Sequence, residues 1–200
     1  MPLTGLDDLS GIPPQAAPYA VGKGQDFTLA FRILAGDGRG RPIKVTLAAD
    51  FAAGVTSLTI KPGHPALASG DKLLFGEDVV ITLSGACAAG VATLAVDATL
   101  CALRTGDTLV KLQDLTSYTI ALEVLTRRGD ATPYMADTSF TVTLATQTGV
   151  DRGKVTLAAL AAATASLTAG SYYAALWRRN SGNVRPLAEF TLKLVEAGFL

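Results

Sequence analysis

The chain has 200 residues, with 17 basic and 17 acidic side chains that cancel to no formal net charge. That length corresponds to one or two domains at about 100–200 residues each, and a neutral chain sets up no field to draw in nucleic acid or an anionic membrane. Charged residues make up only 17%, below the roughly 25% of a typical domain, and with a mean hydropathy of +0.35 this suits a surface partly covered by neighbours.

Residues 1–25 hold Pro2, Pro13, Pro14 and Pro18 among Gly5, Gly11, Gly22 and Gly24, with no repeat at either period. They read as an extended N-terminal arm, either disordered at its end or crossing onto a neighbouring subunit. The opening residues lack the basic start and apolar core of a signal peptide. From Phe27 the pattern changes. Phe27, Leu29, Phe31 and Ile33 alternate with Thr28, Ala30 and Arg32, which predicts a strand buried on one face. A glycine-rich loop with Pro42 follows.

Residues 46–74 and 82–110 are a gapless duplication offset by 36 positions. Ala52-Ala53-Gly54-Val55 matches Ala88-Ala89-Gly90-Val91, Leu58 matches Leu94, and Gly70-Asp71 matches Gly106-Asp107. Each copy predicts a strand, an Ala-Gly turn, a short strand (57–60, 93–96), a Gly-Asp turn and a further strand (72–75, 108–112). Two copies are too few for a solenoid, which needs about three, so the expectation is a small closed β unit with two-fold likeness.

Beyond Asp114 clean alternation returns. Ile120, Leu122 and Val124 face one way, then Phe140, Val142 and Leu144, then Val155 and Leu157. Residues 158–167 are Ala-rich and predict one to two helical turns closed by Gly170. A strand over 172–179, a hairpin loop at 180–183 and a last alternating run through Phe190, Leu192 and Leu194 complete the chain. No run of about 18 apolar residues offers a membrane span. Residues 26–43 plus 114–200 have the size of an immunoglobulin-like sandwich of about 100 residues. The reading is therefore all-β: such a sandwich interrupted by an inserted β domain at 44–113, in the first inter-strand loop, as tolerated where the guest's ends lie close.

Residue types that carry chemistry are sparse. His64 is the sole histidine, which removes His-rich metal sites, and its repeat counterpart is Leu100, so it reads as a loop residue. Cys87 and Cys101, the only thiols, align with Phe51 and Pro65 and read as small apolar fillers. Gly36-x-Gly38-x-Gly40 is followed by Pro42 and a strand, not by the helix that a phosphate cradle requires. Asp7-Asp8 and Glu77-Asp78 read as solvated turn acids, and Arg128-Gly129-Asp130 as turn chemistry. Arg127, Arg128, Arg178, Arg179 and Arg185 flank predicted strand ends, with Tyr172, Tyr173 and Trp177 on one of those strands. The five arginines with Tyr172 and Trp177 are the candidate interaction residues, as a docking edge or as solvated strand-end charges. No catalytic, cofactor or metal residue is assigned.

The segments Phe27-Thr28-Leu29-Ala30-Phe31, Asp114-Leu115-Thr116-Ser117-Tyr118-Thr119-Ile120, Gly153-Lys154-Val155-Thr156-Leu157, Ala169-Gly170-Ser171-Tyr172-Tyr173 and Glu189-Phe190-Thr191-Leu192 carry a resemblance. The sandwich half resembles the immunoglobulin-like N-terminal domain of tailed-bacteriophage baseplate upper proteins and related tail-fibre-proximal proteins. The duplicated Ala-Ala-Gly-Val and Gly-Asp pattern is similar to β modules of other phage structural proteins. The family's sandwich lacks a guest of this kind, and its longer members continue into a coiled coil or receptor-binding head. The resemblance implies a non-enzymatic virion protein, assembled in the host cytoplasm into a tail, baseplate or fibre adaptor. Its partners would be other virion proteins and copies of itself, without nucleic acid, membrane or cofactor. Capsid decoration and carbohydrate binding are the competing functions for such β modules.

Overall fold

The computed structural model describes residues 3–6, 19–37, 41–180 and 183–196. These are mostly β. The strands are β1 (Leu3–Leu6), β2 (Tyr19–Gly22), β3 (Phe27–Leu34), β4 (Lys44–Thr46), β5 (Ser57–Thr59), β6 (Lys72–Phe75), β7 (Val79–Thr82), β8 (Thr93–Ala95), β9 (Thr108–Lys111), β10 (Thr119–Leu125), β11 (Thr141–Leu144), β12 (Lys154–Ala159), β13 (Gly170–Asn180) and β14 (Asn183–Val195). One short helix, α1 (Ala161–Ala165), and two 3-10 turns (Asp137–Ser139, Gly149–Asp151) complete the described elements.

Two four-stranded sheets, ordered β1-β3-β12-β11 and β10-β13-β14-β2, face one another. Alternation sets what each strand buries, because successive side chains point to opposite faces. Leu29, Phe31 and Ile33 of β3 enter one core with Ile120, Leu122 and Val124 of β10, Val155 and Leu157 of β12, and Phe190, Leu192 and Leu194 of β14. Leu29 and Leu122, far apart in the chain, thus share one core. Phe31 and Phe190 meet across it at 5.7 Å between ring centroids. Each fully buried side chain of this kind contributes about 1.5–3 kcal/mol.

The amino-terminal stretch differs from the arm expected. β1 pairs in parallel with β3 (Leu3 opposite Phe31), and β2 pairs in parallel with β14 (Tyr19 opposite Leu192). The segment therefore adds one strand to each sheet of its own chain; residues 7–18 lie outside the described residues. Four-residue strands among Pro and Gly are too short to show a period of two. The Ala-rich turn is also shorter than expected, since residues 158–159 belong to β12 and Gly170 opens β13. Asp26, distant in sequence, accepts the Ala161 amide at 2.6 Å, and the Thr164 hydroxyl accepts the Gly24 amide at 3.0 Å. The helix is fixed by these tertiary bonds more than by propensity.

Residues 43–113 form a second core. The sheet order β4-β9-β6-β7 and the pair β5-β8 are joined by bridges Leu47–Ile60 and Leu83–Val96. The pairing thereby returns on itself as a ring of six strands. An internal two-fold relation runs through it. Leu58 lies opposite its own repeat equivalent Leu94, and Leu74 opposite its equivalent Val110. The Val45–Leu109 pair maps onto Ile81–Leu73, and the Phe51–Leu103 bridge onto Cys87–Leu67. Both Gly-Asp turns close identically: Asp71 accepts the Ala68 amide at 2.8 Å, and Asp107 accepts the Arg104 amide at 2.7 Å.

The barrel grows out of the sandwich. Past Leu34 the chain bonds to the returning strand, Ala35 amide to Lys111 carbonyl at 3.0 Å and Gln113 amide to Ile33 carbonyl at 3.3 Å. Ala35 and Ile43, which the division at 43/44 assigns to the sandwich, are buried in the barrel core. The insertion also follows β3, the third strand of the structure and not the first. Arg32 bridges the modules, donating to Glu77 carbonyl at 2.9 Å and to Val150 carbonyl at 3.0 Å. At this seam Gly153 has φ +79°, and a Cβ there would lie 2.4 Å from the Ile33 carbonyl oxygen. Only glycine lets the two backbones approach so closely.

Candidate interaction surface

The outward face of the β10-β13-β14-β2 sheet is where strand parity places Tyr173, Ala175, Trp177 and Arg179 of β13, beside Ala121 and Glu123 of β10 and Glu189 of β14. A bulge falls between Leu176 and Trp177, and Leu187, skipped in that register, is fully buried. Trp177 is half-buried, and its indole N–H is shielded without an acceptor among the described residues. Arg179 donates to Asp137 at 3.0 Å and to Glu123 at 3.4 Å. Exposed Arg128 reaches Glu189 at 3.2 Å. Burial and the Glu189 carboxylate together push the Tyr173 pKa up.

The seven candidate residues do not form one edge. Leu125 pairs with Tyr173 and Thr119 with Arg179, so Arg127 and Arg128 follow β10 at one end of the sheet while Arg178 and Arg179 lie at the other. Arg185 lies opposite Arg178 in the β13–β14 register; its side chain lies outside the described residues. The Arg178 guanidinium sits 4.9 Å over the Tyr118 ring. Arg127 is exposed in a turn that its own amide closes onto Asp130 at 2.7 Å.

Tyr172 is not a surface residue. It is buried in the sandwich core, stacks on Tyr134 at 4.9 Å and donates its hydroxyl to the Thr168 carbonyl at 2.5 Å. Burial pushes its pKa up to about 12. Parity along 172–179 carries the missed signal: Tyr172, Ala174 and Leu176 share the inner face, so Tyr173 is the tyrosine that accompanies Trp177. Glu123, Asp137 and Glu189, partners of the arginines, have no local signature because each meets its arginine through tertiary structure.

His64, Cys87 and Asp114 are engaged in holding the fold. His64 is 5% exposed, its Nε2 2.9 Å from the Val91 carbonyl and its Nδ1 2.8 Å from the Pro65 carbonyl. Its spatial counterpart is Thr99, not the aligned Leu100. The Gly90 amide donates to His64 carbonyl as the Gly54 amide donates to Thr99 carbonyl, while Leu100 is 79% exposed. Cys87 is buried against the Thr93 carbonyl and Cys101 is half-buried; both thiols are free. Glu77 and Asp78 are exposed in the β6–β7 turn, and Asp7-Asp8 lies outside the described residues. Within Arg128-Gly129-Asp130, the arginine pairs with Glu189 and the aspartate accepts the Arg127 amide. Asp114 accepts the Thr116 hydroxyl and amide and pairs with Arg152 at 2.9 Å. Its burial opposes ionisation, but these partners hold its pKa below the usual carboxylate value. Among the described residues no group of three His, Cys, Asp or Glu side chains is placed to hold a metal ion. No protein-family model matches the chain, and neither a curated protein nor a solved structure matches it.

Proposed function

We propose that the chain is a structural component of a tailed-phage virion, a tail, baseplate or fibre-adaptor protein that acts by subunit assembly. In this reading the larger module is an immunoglobulin-like sandwich. Its sheet orders β1-β3-β12-β11 and β10-β13-β14 correspond to the A-B-E-D and C-F-G orders of that fold, with β2 beside the last strand. Tyr172, at the start of β13 and bonded back to the Thr168 carbonyl, has the place of the tyrosine corner at the E–F turn. The parallel pairing of β1 with β3 departs from that pattern. The barrel is then a guest between strands B and C.

The observation that carries the assembly reading is the contrast between engaged polar groups and displayed apolar ones. His64, Cys87, Asp71 and Arg179 each serve turns, cores or ion pairs, whereas Leu100 and Leu160 stand 79% and 72% exposed on the two modules. Single exposed leucines are common on monomers too; in this reading they and the low charged fraction of 17% belong to surface that neighbouring subunits cover. The test is quantitative mass spectrometry of purified particles, with tails separated from tail-free heads. The expected result is this chain at fixed stoichiometry in the tail fraction. Recovery with heads alone assigns capsid decoration instead, and absence from particles overturns the virion reading.

A further inference from the structure

β11 bonds to β12 on one side and forms the outer edge of its sheet. Thr141 and Thr143 lie opposite Ala158 and Thr156, and the Ala145 amide donates to Lys154 carbonyl at 3.2 Å. Antiparallel alternation therefore turns the amides and carbonyls of Val142 and Leu144 away from β12. Neither residue has a backbone partner on that side among the described residues. Both side chains pack against the sandwich core yet are only half-buried.

The barrel closes its ring, and Val124 on β10 exchanges hydrogen bonds with Met135; β1 and β2 cover β3 and β14 and are themselves the outer strands at the opposite ends of the two sheets. Exposed edges are commonly blunted by a charge, a proline or a bulge. Between Asp137 and Asp151 the sequence holds no charged residue and no proline.

We propose that β11 is a self-pairing edge, where two copies of this chain meet about a two-fold axis through Thr143 and join their four-stranded sheets into one of eight. The occupant follows from register and charge. About that axis Val142 of one copy lies opposite Leu144 of the other, and both outward pairs can exchange backbone hydrogen bonds. Thr143 faces Thr143, a favourable cross-strand pair. A neutral strand gains no attraction from a charged partner and meets its own copy without repulsion. The inference rests on the assembly reading only in taking a copy of the chain as partner. It does not depend on where in a virion the chain sits.

The test uses the full chain carrying Thr143→Cys. On the axis the two cysteines occupy a non-hydrogen-bonded pair, with Cα atoms about 4.5 Å apart, inside the disulfide range of about 4.4–6.8 Å. Mild oxidation is expected to give a covalent dimer with a 143–143 disulfide by peptide mass spectrometry. Thr191→Cys, exposed on the interior strand β14, is the control that stays monomeric. Thr143→Lys sets two ammonium groups opposite each other, and sedimentation is expected to show self-association weakened about tenfold or more. Equal cross-linking of the two cysteine variants, or unchanged association of Thr143→Lys, overturns the proposal. Such a failure in a chain still recovered from particles leaves the virion reading standing, and cross-linking in a chain absent from particles leaves only the self-pairing.

Discussion

In the barrel every ladder joins one repeat to the other: β4 with β9, β9 with β6, β6 with β7 and β5 with β8. In the sandwich the ladders run among strands with no repeat relation, and the sheet ends at β11. Duplication explains the difference. Two copies of one pattern complement each other around an axis, so the ring closes without a strand left over. The sandwich draws its strands from both sides of the insertion and finishes with an edge, β11, that no other described strand covers.

The comparison is tested most severely in the barrel core. Leu58 and Leu94 are both fully buried and face each other across the axis. Replacing either by Ala is expected to cost about 2–5 kcal/mol in denaturant unfolding, with similar values for the two. A cost confined to one of them breaks the equivalence of the repeats.

A smaller effect shows where the repeats diverge. Asp71 is buried and pairs with Lys111 at 2.7 Å, whereas the position equivalent to Lys111 in the first repeat is Phe75. Asp71→Asn is expected to destabilise by about 1–3 kcal/mol, since it leaves a half-buried ammonium without its charge partner. Asp107→Asn weakens only a turn, at about 0.5–1.5 kcal/mol. Equal thermal shifts for the two variants would remove the Lys111 pair as the source of asymmetry.

The mildest probe lies in the sandwich. Burial pushes the Tyr172 pKa up from the ordinary 10.0 to about 12 in the fold. Its contribution is complete below pH 10 and is lost as pH rises through the folded value. Tyr172→Phe is expected to lower stability at neutral pH by about 1 kcal/mol through loss of the bond to Thr168. It should also flatten part of the alkaline decline, read by unfolding at a series of pH values.

Much of this architecture is legible in the residues. The offset of 36 fixes which strands are equivalent, and the alternation of Leu29, Phe31 and Ile33 and of Ile120, Leu122 and Val124 marks the sandwich core. Other features need three dimensions. β1 and β2 are too short for periodicity, and Ala35 and Ile43 change cores because β3 overruns its sheet. A linear alignment sets His64 against Leu100, yet the loops differ by one position in space, so Thr99 does its work. The candidate surface was the least legible part. The pairs Arg127/Arg128 and Arg178/Arg179, which both flank strand ends, lie at opposite ends of a strand pair, and the acids that meet Arg128 and Arg179 come from distant segments.

The passage of β3 into the barrel has a mechanical consequence. Leu34, Leu74 and Leu112 fill the joint, the incoming and outgoing strands are laced together there, and Arg32 ties the β6–β7 turn to the sandwich. A torque applied to the guest is therefore transmitted as shear along bonded strands and not absorbed by a swivelling linker. The two modules turn as a single lever arm.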